Sequence, residues 1–141
     1  MRVFCGIASA AVPRWRPVVA PMIETALQYG DGGFTADDVL DRCEKKLAGL
    51  WAGFSEECAT SDPPECVLVT EIVAKPRRTI ARLWIAAGRN LGLWLPIGQP
   101  VLDRWALAEG ATALELRGRP GWTRRAPGWR LDEVVMRRDL A

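Results

Sequence analysis

Apolar positions change period several times along this chain, and each change marks an element. The start, MRVFCGIASAAV, predicts a first β-strand before PRWRP breaks the pattern. Val18, Val19, Met22, Ile23, Ala26 and Leu27 then recur at helical spacing, with Gly30 as the left-handed stop. Thr35 opens a second helix: T-A-D-D is a capping-box variant with acids in the first turn, where the helix dipole favours them. Val39, Leu40, Cys43 and Leu47 form its expected buried stripe, Lys45 and Lys46 sit near its end, and Gly49 closes it.

From Leu50 the period shortens. LWAGF predicts a strand, ECATSDPPE a polar loop, and CVLVTEIVA an interior strand rich in β-branched residues. KPRR turns into TIARLWIAAG, which makes the longest hairpin of the sheet. Residues 88–100, GRNLGLWLPIGQP, keep no clear period, and Pro96 or Pro100 fits the first turn of the helix that follows. That helix, PVLDRWALAEG, places Val101, Leu102, Trp105 and Ala108 on one face and stops at Gly110. ATALEL is a strand, RPGWTRRAPG has room for a turn or two of helix, and WRLDEVVMRRDL is a closing strand. Strands and helices mixed around one sheet give an α+β (mixed α/β) fold, with residues 1–141 as a single domain.

Composition narrows the function. The 141 residues are 49% apolar and 26% charged, ordinary for a globular chain, and no apolar run approaches the ~20 residues of a membrane helix. The start imitates a signal peptide but is shorter than the roughly 15–30 residues such a segment occupies, so the reading is a strand in a cytoplasmic protein. The net charge of +2 conceals an asymmetry: residues 1–70 carry 6 Lys/Arg against 10 Asp/Glu, and residues 71–141 carry 13 against 7. There is no histidine, which excludes Ser-His-Asp and Cys-His catalysis and histidine-ligated zinc. Cys5, Cys43, Cys58 and Cys66 show no metal-ligand spacing, so no metal is expected; Cys58 and Cys66 flank a loop and are expected to stay reduced.

The element order and the stretch ELRGRPGWTRRAPGWRL together resemble the GNAT (Gcn5-related N-acetyltransferase) fold. In that family the last helix ends in Gly-Phe or Gly-Tyr, and Gly128-Trp129 takes that place. A closer likeness is to short GNAT-like proteins of tailed bacteriophages, which carry E-L/I-x-G-R-x-G-W; Glu115, Leu116, Gly118, Arg119, Gly121 and Trp122 supply it. The resemblance implies a central, mostly antiparallel sheet flanked by helices. It also implies a coenzyme A pyrophosphate held on backbone N–H groups of an (Arg/Gln)-x-x-Gly-x-(Gly/Ala) loop opening a helix. This chain lacks that hexapeptide, and the nearest stand-in for a cofactor loop is Gly88, Arg89, Asn90 and Gly92. The family's acid tyrosine would fall at Arg124, and the only tyrosine is Tyr29, on the first helix. An arginine cannot replace it as an acid.

Glu71, mid-strand in VTEIV, and Glu115, in ALELR, are the candidate general bases. The more expected role of each is to pair with an arginine of a neighbouring strand, such as Arg117 or Arg82. Arg119, Trp122, Arg124, Arg125 and Trp129 form a basic, aromatic strip, expected to pack under a helix or to anchor a protein interface before it stacks on nucleic acid. Three readings follow in order. The first is a non-catalytic phage protein acting in the virion or its assembly, with no cofactor, in the host cytoplasm or virion. Its partners would be other virion or assembly proteins or a second copy of the chain. The second is an active N-acyltransferase using acetyl-CoA. The third is a nucleic-acid-binding module using the basic half.

Overall fold

The computed structural model describes residues 2–29, 32–55, 63–117, 128–130 and 136–140. Five strands form one sheet in the order β1 (Val3–Ile7), β2 (Gly49–Phe54), β3 (Cys66–Lys75), β4 (Arg78–Gly88) and β5 (Ala113–Leu116). Neighbours run antiparallel except β4 and β5, which pair in parallel from Ile80–Ala113 to Leu83–Leu116. The chain therefore has the α+β architecture expected from its pattern and the mostly antiparallel sheet that the resemblance implies. A parallel pair needs a crossover, and helix α3 (Leu91–Ala108) supplies it.

Two helices precede β2. α1 (Val12–Leu27) starts well before the expected position and contains Pro17 and Pro21. Each proline removes a backbone donor, and the burial of Val12, Val19 and Ile23 against the sheet offsets that cost. α2 (Ala36–Glu44) has the full capping box: Thr35 Oγ1 accepts from the Asp38 N–H at 3.1 Å, and Asp38 Oδ2 accepts from the Thr35 N–H at 2.9 Å. These bonds hold the Asp38 carboxyl below the usual carboxylate range. α2 ends at Glu44 and Lys46 takes the left-handed conformation, so Leu47 falls outside the stripe and is exposed, while Gly49 begins β2.

α1 and α2 are tied by one guanidinium. Arg16 reaches Asp37 and Asp41 at 2.9 Å and Glu44 at 2.8 Å. The hydrogen bond that Arg16 donates to Glu44 is the largest cause of a pKa raised beyond the ordinary arginine value.

The two faces of the sheet bury different cores. On the α1/α2 face Leu50, Val67, Val69 and Ile85 pack against Val12, Val19, Ile23, Val39, Leu40 and Cys43. On the α3 face Leu68 and Leu83 meet Leu95 and Leu102, with Phe4, Trp51 and Trp105 beside them. Phe4 and Trp51 stack at 5.9 Å, Trp105 meets Trp51 edge-on at 5.6 Å, and the Trp51 indole N–H donates to the buried Thr70 hydroxyl at 2.9 Å.

β4 carries one surplus residue. Val69 pairs with Ile85 but Thr70 pairs with Leu83, which leaves Trp84 without an opposite number. Trp84 and Ile85 consequently both pack on the α1/α2 face, whereas Leu83 packs on the other.

Candidate functional site

Residues 88–100 keep no clear period in the sequence, yet all from Leu91 onward belong to α3. Gly88 ends the strand with φ +110°, and only Arg89 and Asn90 separate it from α3. A Cβ on Gly88 would collide with the Glu65 carbonyl oxygen, and the Arg89 N–H donates to that same oxygen at 3.0 Å. A glycine is needed here for the conformation and for the approach. Asn90 is the N-cap residue, itself left-handed at φ 57°; its carbonyl accepts from Leu93 and Trp94, and its side-chain amide donates to Glu65 Oε1 at 2.5 Å. That bond is the main cause of a Glu65 carboxyl held below the usual range, although Glu65 is only 7% exposed and burial works against it.

Pro96 and Pro100 both lie inside α3, so neither marks its first turn. The helix extends to Leu91 because Trp94 and Leu95 are buried against the sheet, which outweighs the missing donors. Gly92 is its second residue. The backbone N–H groups of Leu91 and Gly92 have no partner among the described residues, and the charge of Arg89 acts on the Glu65 carboxylate. A helix start of this kind favours an anion, and the four residues singled out in the sequence are indeed adjacent.

Trp94 fills the space under this turn. Its ring lies against Gly53 and its indole N–H is buried. A cavity of about 10 Å³, room for one water, remains among Leu68, Leu83, Ala86, Leu91, Trp94, Leu95 and Leu116.

The two candidate bases meet at one arginine. Arg82 on β4 donates from Nε to Glu115 Oε1 at 2.7 Å and from its terminal nitrogen to Glu71 Oε1 at 3.0 Å. Arg117 adds a second bond to Glu115 at 3.2 Å, and Arg42 of α2 stands 3.9 Å from the other oxygen of Glu71. Burial tends to raise the Glu115 pKa, but the Arg82 and Arg117 bonds and charges outweigh it and hold the carboxyl down. A base for an ammonium group needs a raised value, so the environment of Glu115 runs the other way. Cys43 and Cys66 offer no nucleophile: burial pushes Cys43 up to about 11 and Cys66 up to about 12. Among the described residues no group of acids and thiols is placed to hold a metal ion.

Trp129 is half-buried; it packs beside Leu95 and Leu102 and donates to Gln99 at 3.3 Å. Arg119, Trp122, Arg124 and Arg125 lie outside the described residues. Sequence reasoning missed the surplus Trp84. It sits one residue beyond the last β4–β5 pair, with its ring edge-on to Phe34 at 4.9 Å and the Arg42 guanidinium 5.9 Å from its centre. No local signal announces it, because both faces of β4 are apolar there.

No protein-family model matches the chain, and no curated protein does. Solved structures do. One is an aminoglycoside acetyltransferase from an uncultured soil metagenomic sample, in complex with sisomicin, at 9% identity and TM-score 0.64, covering 99% of this chain and 97% of that one. A second aminoglycoside acetyltransferase from such a sample gives 12% identity and TM-score 0.68 over 100% and 98%. Aminoglycoside N-acetyltransferase AAC(6')-Iy in complex with CoA gives 11% and 0.63 over 100% and 96%. At these identities the likeness is one of fold, and the fold is that of the GNAT acetyltransferases. No described helix is long and apolar enough to cross a membrane.

Proposed function

We propose that this chain is an acyltransferase that takes its acyl group from acetyl-coenzyme A and passes it to an amine. The observation that carries the reading is the arrangement along β4. A bulge at Trp84 takes one residue's backbone out of the ladder, and the same strand ends at the Gly88–Gly92 helix start. Bulges occur disproportionately beside active sites. About 13 Å of extended strand separates Trp84 from Gly88, a length along which an amide-bearing arm can lie. The acetyltransferase fold and the CoA complex of one fold neighbour support the same choice.

The residues present fit such a cofactor at its anionic end. The Leu91 and Gly92 N–H groups and the Arg89 guanidinium would hold its phosphates, the first by the helix dipole and the last by a planar fork. The cofactor supplies an activated thioester. This chain's own part is to bind and orient it. Glu71 and Glu115 are committed to Arg82, so the amine would reach the site already neutral; as the C–N bond forms and the C–S bond breaks, its proton would pass to solvent and the departing thiolate would take one from solvent.

A second reading has its own support. Arg82 pairs with both strand carboxylates, and Arg124 stands where the resemblance expects an acid tyrosine. Those features suit a non-catalytic GNAT-fold protein of a phage particle or its assembly, working through protein contacts. Titration with acetyl-CoA separates the two. A ligand that binds only the native state raises stability by about 2.7 kcal/mol at a hundredfold excess over Kd. A saturable rise in melting temperature, weakened about tenfold in Arg89→Ala, is expected; an unchanged melting temperature at millimolar acetyl-CoA would leave the second reading standing.

A further inference from the structure

Beside α2, on the side away from α3's first turn, an open groove of about 340 Å³ is lined by Gly33, Phe34, Asp38, Asp41, Arg42, Lys45 and Leu47. Its size is in the range of small-ligand sites. Its formal charges balance, but they are not equally available. Asp38 is spent on the Thr35 backbone N–H, and Asp41 on Arg16 at 2.9 Å. The cations are uncommitted. Lys45 has no ion pair among the described residues. Arg42 has one ionic contact, to Glu71 at 3.9 Å, which is too long for a hydrogen bond, and its Nε is buried with no partner.

Such a guanidinium is costly to leave half-buried and unbonded, and here it is held in place. Trp84 lies under it at 5.9 Å, and Phe34 braces Trp84 from the side. Phe34 remains 44% exposed and Leu47 55% exposed, which gives the groove apolar walls. The terminal nitrogens of Arg42 make no hydrogen bond to Glu71, and set between apolar walls they suit a carboxylate carried on an apolar body.

We infer that this groove is a binding site for small carboxylates with an aromatic or aliphatic body, anchored by Arg42 and assisted by Lys45. The site is distinct from the α3 start, and it stands whether or not acetyl-CoA binds there. Phosphates are a poorer fit, because the two aspartates on the rim repel a doubly charged anion more strongly than a single carboxylate.

The probe is 3-phenylpropionate, with its uncharged amide as the control, followed by Trp fluorescence and by ligand-observed NMR on the full chain. The acid is expected to bind saturably, about tenfold tighter than the amide, since one charge-assisted pair is worth that factor. Arg42→Gln is expected to remove the preference for the acid, and Arg42→Lys to restore part of it. Phe34→Ala should weaken acid and amide alike. Circular dichroism and melting curves on each variant show that the fold persists; Phe34 and Lys45 are exposed, so Lys45→Gln gives a second, fold-neutral reading of the charge. Equal binding of acid and amide, no saturation at tens of millimolar, or an acid preference that survives both Arg42→Gln and Lys45→Gln would overturn the assignment.

Discussion

The ring of Trp94 lies flat enough on Gly53 that a Cβ there would sit 2.7 Å from its six-membered ring. The contact joins the first turn of α3 to the middle of the sheet, and it fixes where the helix begins. Gly53→Ala must displace the Trp94 ring, which is 1% exposed, and the Cys66 thiol at the same 2.7 Å, and the cavity of about 10 Å³ beside the ring is too small to take up the shift. Overpacking of this kind costs about 1–3 kcal/mol. Chemical denaturation should show that loss with an unchanged dependence on denaturant; a variant as stable as the parent would mean that the ring slides freely.

Arg82→Met would leave Glu71 and Glu115 facing each other across β4 without their shared cation. Arg82 is 14% exposed, between the exposed pairs worth ~0–1 kcal/mol and the buried ones that cost ~3–5 to break, so a loss of about 2 kcal/mol is expected. The pH dependence gives the sharper reading. Glu115 has a lowered folded pKa, so its contribution is present above the ordinary glutamate value near ~4.3 and is lost as pH falls through the lowered one. Parent stability should therefore decline below about pH 5. In Arg82→Met the decline should be shallower but not absent, because Glu65 is also held down. An identical slope in both proteins would remove Arg82 as the cause.

Cys43 and Cys66 should resist thiol reagents in the folded protein at pH 8, while Cys5, half-buried, reacts before either. Their raised values mean that they add stability below the ordinary thiol value near ~8.5, and that this is lost as pH climbs toward about 11 and about 12. Pulse labelling with peptide mapping checks the order of reaction. Labelling of Cys66 as fast as Cys5 at pH 8 would contradict its burial.

How much of this was legible beforehand depended on whether a residue's role is local. The Thr35 capping box is local, and its two bonds match the T-A-D-D pattern. The β3–β4 hairpin was legible because β-branched residues alternate with a turn between them. The starts of α1 and α3 were not. Proline at 13, 17 and 96 argues for a break when only neighbours in the chain are considered, whereas Val12 and Trp94 gain their burial from strands far away in sequence. The site divides the same way. Pairing of Glu71 and Glu115 with Arg82 or Arg117 could be anticipated as a class of contact, but a single arginine serving both required the register of three strands. The groove beside α2 had no sequence signal, since it depends on which charges are already spent.

The surplus residue in β4 behaves like a one-letter insertion in an otherwise periodic text. Strike out Trp84 and the rest alternates without error, Leu83 toward α3, Ile85 toward α1 and α2, Ala86 toward α3 again. The sheet does not need this residue to keep its faces in order. What it adds is an indole in the one place where Phe34 and Arg42 converge. Loss of that single position would spare the architecture and erase the floor on which Arg42 rests.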